Sequence, residues 1–113
     1  MSEPVFSQQE VLLQSLLMDL EAEMRLKGLW SSQPPAPEAF TSEEPFCIDT
    51  MDFAPWLQFV FIARLNFLME CREPLPDKCG ITPYAEMIWQ GNTIVVQNLL
   101  AILKSIDEVF EVK

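Results

Sequence analysis

Between Asp52 and Arg64 the chain reads FAPWLQFVFIA, eleven residues in which Gln58 is the one polar side chain. A helix that spans a bilayer needs about 20 apolar residues. Here Arg64, Asn66 and Glu70 follow within two turns, so length excludes lipid as the solvent of this segment. Plotted as a helix, Trp56, Leu57, Phe59, Val60, Phe61, Ile62, Leu65, Phe67 and Leu68 cover nearly the whole circumference. A helix that is apolar all round belongs inside a protein core. The expectation is therefore an innermost helix over about 52–71, with neighbours on several sides. Asp52 is its expected N-cap, and Pro55 falls in the first turn, where a missing N–H costs nothing.

The rest of the chain must supply those neighbours. Ser7 and Glu10 stand in the S-x-x-E relation of a capping box. Leu12, Leu13, Leu16, Leu17, Leu20 and Met24 then recur at three- and four-residue steps, predicting an amphipathic helix over about 7–28. Gly28 is the expected left-handed cap at its end. Residues 31–45, SSQPPAPEAFTSEEP, hold four prolines and exclude helix or central strand. Trp30, Phe40 and Phe46 bracket and punctuate this segment, which reads as an ordered strap pinned by those rings. Thr82-Pro83 opens a short helix over about 82–90, with Thr82 as cap and Gly91 as stop. A last helix over about 93–110 presents Val95, Val96, Leu99, Ile102, Leu103, Ile106, Val109 and Phe110 on one face. No segment alternates with period two. The expected fold is all-α: one domain over 1–113, an antiparallel four-helix bundle of three long helices and one short.

Charge narrows the partners. Seventeen acids against seven bases give a net charge of −10, and the bases are scattered. Nucleic acid and anionic lipid both require clustered Lys and Arg, so direct contact with either is not expected. Cys47, Cys71 and Cys79 form no CxxC pair, and with no histidine a zinc site lacks its usual ligands. They read as reduced cysteines of a cytoplasmic protein. The N-terminal MSEPVFSQQE has no basic n-region, so no signal peptide is expected.

Catalytic chemistry is hard to assemble from this inventory. Without histidine, Ser-His and Cys-His nucleophiles are excluded. Three glycines, Gly28, Gly80 and Gly91, make no phosphate loop. Glu21 and Glu23 lie two apart and do not share a helix face. Ala63-Arg64-Leu65-Asn66 resembles the R-L-D string of pseudouridine synthases, but an amide stands where their carboxylate acts. Arg64 is the polar residue of most interest. On a buried helix it needs a carboxylate, with Asp49 or Glu86 as candidates and Asp107 behind them. The candidate binding or structural cluster is Asp49, Thr50, Trp56, Gln58, Arg64, Tyr84 and Glu86, with Trp89 as a core or strap contact. No catalytic, metal or cofactor residue is expected.

PFCIDTMDFAPWLQFVFIARL at 45–65, EPLP at 73–76 and TPYAEM at 82–87 resemble the YqcC-like family of small bacterial proteins. The matching residues are Pro45, Phe46, Asp49, Thr50, Met51, Trp56, Leu57, Gln58, Arg64, Pro74, Leu75, Pro76, Pro83, Tyr84, Glu86 and Met87. The resemblance implies an all-α bundle and a gene association with tRNA pseudouridine synthase C. Three functions are open. One is a non-catalytic interaction module for another protein, a basic tRNA-modifying enzyme being the candidate. The second is a small-molecule or anion-binding bundle with a pocket around Arg64. The third is pseudouridine synthase activity itself. A monomer or small homo-oligomer is expected.

Overall fold

The first periodic stretch folds as helix α1, Gln8–Leu26, with Leu13, Leu17, Leu20 and Met24 as its buried face. The structure is a computed structural model that describes residues 8–76, 79–91 and 95–111. Ser7 of the expected capping box and Thr93, the expected start of the last helix, lie outside the described residues. The apolar face of α1 is narrower than its sequence suggests, since Leu12 is exposed and Leu16 is half-buried. The helix ends as expected at Gly28, whose φ of +72° favours glycine. The Gly28 N–H donates to the Arg25 carbonyl and the Leu29 N–H to the Met24 carbonyl, a Schellman closure.

The last described helix, numbered α4 here, is Gln97–Glu111. Leu99, Leu103, Ile106, Val109 and Phe110 are buried, as is Val96 just before it, whereas Val95 is exposed. The α4 face packs against α1. Gln9, near the start of α1, donates to the carbonyl of Val109 near the end of α4 at 3.2 Å, so the two helices run in opposite directions.

Helix α2 spans 53–70 in three continuous pieces: Phe53–Trp56, a π-helical stretch Leu57–Ile62, and Ala63–Glu70. The expectation of an innermost helix is corrected here. Phe53, Leu57, Ile62, Leu65 and Met69 are buried, but Phe59, Val60 and Phe61 are half-buried and Phe67 is 60% exposed. The reason is geometric: α1 and α4 cover each other, so the second half of α2 receives neighbours on one side only, leaving Ala63, Arg64, Asn66, Phe67 and Glu70 exposed. The π turns adapt α2 to that one-sided role. In a regular α-helix, residues five apart point about 140° away from each other. The i→i+5 turn brings Leu57 and Ile62 to the same buried side. Asp52 sits at the N-cap with extended backbone, but its carboxylate makes no cap hydrogen bond.

Helix α3, Thr82–Ile88, is short and lies against α4. Its expected cap, Thr82, does not act as one. The carboxylate of Asp107 on α4 accepts from the Ile81 N–H at 3.1 Å and the Thr82 N–H at 2.9 Å. A residue distant in sequence thus satisfies the donors that a helix start leaves open. Gly91 follows with φ +91°, as its place after the helix predicts. No strand occurs among the described residues, and the chain is all-α.

Two clefts divided by Trp56

The connection between α1 and α2 carries two short 3₁₀ turns, Pro37–Thr41 and Pro45–Cys47. Polar side chains tie it down. Gln58, the one buried polar residue among those described, accepts from the Ser31 N–H and donates to the Ser31 carbonyl, both at 2.8 Å. Its amide thereby meets both halves of its hydrogen-bonding need inside the protein. The Thr50 hydroxyl donates to the Ala39 carbonyl at 2.7 Å, and the Ser42 hydroxyl donates to Asp49. Of the three rings expected to pin the segment, Trp30 and Phe46 are half-buried and Phe40 is exposed. The Arg25 guanidinium lies 5.0 Å from the centre of the Trp30 ring.

Phe46 and Cys47 both have positive φ, 59° and 51°. Side chains with a Cβ rarely adopt that conformation, and two in succession need compensation from packing. Phe46 receives it from aromatic neighbours. Its ring stacks on Tyr84 at 4.0 Å and meets Trp56 edge-on at 4.9 Å. Phe53 joins Tyr84 at 5.2 Å, Trp89 at 5.3 Å and Trp56 at 5.9 Å. Trp56 continues to Phe61 at 5.7 Å. Offset and edge-to-face pairs of this kind add to the area they bury.

Trp56 stands between two concavities. On the Phe46 side a cleft of about 320 Å³ is lined by Phe46, Ile48, Asp52, Phe53, Tyr84 and Trp89, among others. On the Phe61 side a groove of about 300 Å³ is lined by Val60, Phe61, Arg64, Leu65, Cys79 and Phe110, with Trp56 and Pro76. Arg64 is exposed there, and it makes no ion pair with Asp49, Glu86, Asp107 or any other described residue. The buried pair expected for it is corrected by the one-sided burial of α2, which turns position 64 outward. Burial and the nearby Asp107 carboxylate, in that order, push the Cys79 thiol up. Burial also raises the Tyr84 phenol.

The seven candidate residues therefore occupy five places. Trp56 and Tyr84 meet through Phe46, Asp49 and Thr50 hold the connection at 39–42, and Gln58 holds it at Ser31. Arg64 borders the second groove, while Glu86 shares a third depression with Thr82, Pro83, Lys104, Asp107 and Glu108. Phe53 and Asp107 matter to this geometry and were not singled out for it by sequence. Phe53 hides in a generally apolar run, and nothing local marks Asp107 as the cap of another helix. Among the described residues no three His, Cys, Asp or Glu side chains gather as metal ligands, and no helix is long and apolar enough to cross a membrane.

Known proteins resemble this chain along most of its length. A family described as tRNA pseudouridine synthase C, DUF446, matches residues 12–109. An uncharacterized protein of Haemophilus influenzae is 45% identical over 81% of this chain and 86% of its own length. The uncharacterized protein YqcC of Escherichia coli is 36% identical over 83% of this chain and 86% of its own. The solution NMR structure of E. coli YqcC superposes with a TM-score of 0.81 and 33% identity, covering 92% of this chain and 89% of that one. A Pectobacterium carotovorum protein named tRNA pseudouridine synthase C is 37% identical over 75 residues, which are 66% of this chain but 20% of that protein.

Proposed function

The chain belongs to the YqcC-like DUF446 family, and from that premise we propose that it is a non-catalytic accessory module for a tRNA pseudouridine synthase. The observation that carries this reading is the Pectobacterium match. A segment like this chain makes up one fifth, 20%, of a protein bearing the synthase name. Covalent continuity holds such a segment at high effective concentration beside the rest of its polypeptide. A separate chain of the same family would meet its enzyme by association instead. The synthase name on the family is thus read as a statement about company, not chemistry. The Arg64-Leu65-Asn66 string lies in mid-helix on α2 and carries an amide, which serves neither as nucleophile nor as base, so its likeness to the R-L-D string is a coincidence that gives catalysis no support.

Other features support association. Val11, Met18 and Leu26 are 53%, 72% and 74% exposed along the side of α1 opposite its core face. Spaced two turns apart, they offer a partner separate apolar footholds along one helix face. A net charge of −10 suits a basic protein that handles tRNA. In this reading the four helices form an antiparallel bundle in one domain, and the proline-rich connection is an ordered strap fixed by Gln58 and Thr50. The groove beside Arg64 favours a second reading, an anion site, because its guanidinium is exposed and unpaired among the described residues.

The test mixes the purified chain with the purified synthase of its own cell. A stoichiometric complex by size-exclusion chromatography, with altered kcat/KM on tRNA, is expected. Pseudouridine formed by the chain alone would overturn the non-catalytic reading. No complex at micromolar concentrations and no effect on the enzyme would overturn the accessory one.

A further inference from the structure

Among the acids of the connection, Asp52 is the one that lines the Phe46 cleft. It is exposed at the cleft's edge, and its carboxylate neither caps α2 nor bonds or pairs with a described side chain. Asp49, by contrast, is engaged by Ser42. From Gly28 to Ala63 the chain carries Glu38, Glu43, Glu44, Asp49 and Asp52 and not one base. The part of the sequence that forms most of the cleft is therefore uniformly negative, and its walls are the rings of Phe46, Phe53, Tyr84 and Trp89.

We infer that this cleft docks an arginine side chain borne on an apolar segment of a partner protein. The inference rests on the accessory reading for who the partner is, and goes beyond it in naming the site and the chemistry. A guanidinium can lie on an aromatic face and at the same time give two parallel N–H donors to a carboxylate. An ammonium has the charge but lacks the plane and the fork. The molecule already makes the first half of this contact within itself, where Arg25 covers Trp30 at 5.0 Å. The cleft, at about 320 Å³, admits a single large side chain. Ile48 and Ile88 on its walls are 52% and 39% exposed and offer cover to apolar neighbours of that arginine. A phosphate-rich ligand is disfavoured by the same acids that attract a cation. The Arg64 groove has the opposite sign at its edge and takes no part.

The probe is the acetylated, amidated peptide Leu-Arg-Leu-Arg-Leu, titrated into the full chain by two-dimensional NMR. Saturable binding is expected, with shifts centred on Asp52 and the Trp89 indole. Lys in place of Arg is expected to weaken binding several-fold, and Glu to abolish it. Asp52→Asn is expected to weaken the Arg peptide by about fivefold or more, the scale of a lost charge-assisted contact. Its thermal melt stays that of the parent, since the Asp52 carboxylate supports no hydrogen bond of the fold. Ile48→Ser, also exposed, is expected to weaken binding without altering the melt. Absence of saturable binding overturns the inference, as do equal binding by Asp52→Asn and shifts centred on Arg64. The synthase is absent from this assay. Peptide binding without a synthase complex would therefore sink the accessory reading alone, and a synthase complex indifferent to Asp52→Asn would sink the cleft alone.

Discussion

The interface of α1 with α4 and the layer around Phe46 bury apolar surface in different ways. The first is aliphatic and closed: Leu13, Leu20, Met24, Leu99, Leu103 and Ile106 are all 0% exposed. The second is aromatic and open. Phe53 is buried there, but Phe46, Trp56, Tyr84 and Trp89 each keep part of their surface in solvent. Enclosed aliphatic chains stabilise through the area removed from water and through close contact on every side. Half-open rings give up part of that stabilisation and leave a wall that another molecule can cover. Closed aliphatic packing and half-open aromatic packing thus occur within one continuous core.

Substitutions can break this contrast. Leu103→Ala leaves an enclosed void and is expected to cost about 3–5 kcal/mol in chemical denaturation, the upper range for a leucine that cannot be compensated. Trp56→Ala removes a larger side chain but a half-exposed one, so about 2–3 kcal/mol is expected. Equal costs would mean that the aromatic layer is a second closed core. Asp107→Ala removes the two hydrogen bonds that start α3, with an expected loss of about 1–2 kcal/mol. Gly28→Ala forces a Cβ into a left-handed turn at φ +72° and is expected to cost about 1 kcal/mol.

Thiol chemistry sharpens the same contrast at low energetic cost. Cys71 is exposed, whereas Cys79 is half-buried beside Asp107 and held protonated. At mildly alkaline pH a thiol reagent is expected to label Cys71 well before Cys79, read by mass spectrometry. Asp107→Asn is expected to speed Cys79 by removing the adjacent negative charge. The sign for stability follows from the raised thiol. Its contribution is intact below the ordinary thiol pKa and declines as pH rises above it, because the unfolded chain then releases a proton that the folded one retains.

Much of the aliphatic half was legible in sequence. Three- and four-residue steps picked out Leu13, Leu17, Leu20 and Met24, and likewise Leu99, Leu103 and Ile106, because such steps require only that one neighbour lie alongside. The Gly28 turn was legible for a local reason, the conformation that glycine alone adopts freely. The position of α2 was not. A run apolar on every side states what the segment avoids but not how many helices are present to cover it. With α1 and α4 joined to each other, Phe67 and Arg64 stay outside. The π turn was equally hidden, since its benefit, Leu57 beside Ile62, exists only once one side of α2 is chosen. Asp107 as cap and the dispersal of the seven polar candidates depend on tertiary proximity, which no spacing within a single segment encodes.

The Gln58 amide has a consequence for how this chain can change over generations. It grips the peptide group of residue 31 from both sides and ignores what that residue carries beyond its backbone. The attachment to Gln58 itself therefore survives almost any substitution at position 31, although the half-buried Ser31 also engages the Gln33 carbonyl and N–H through its hydroxyl. Proline alone is barred, because its nitrogen has no hydrogen to give. A glutamine buried in a helix here acts as a lock that fits every key but one.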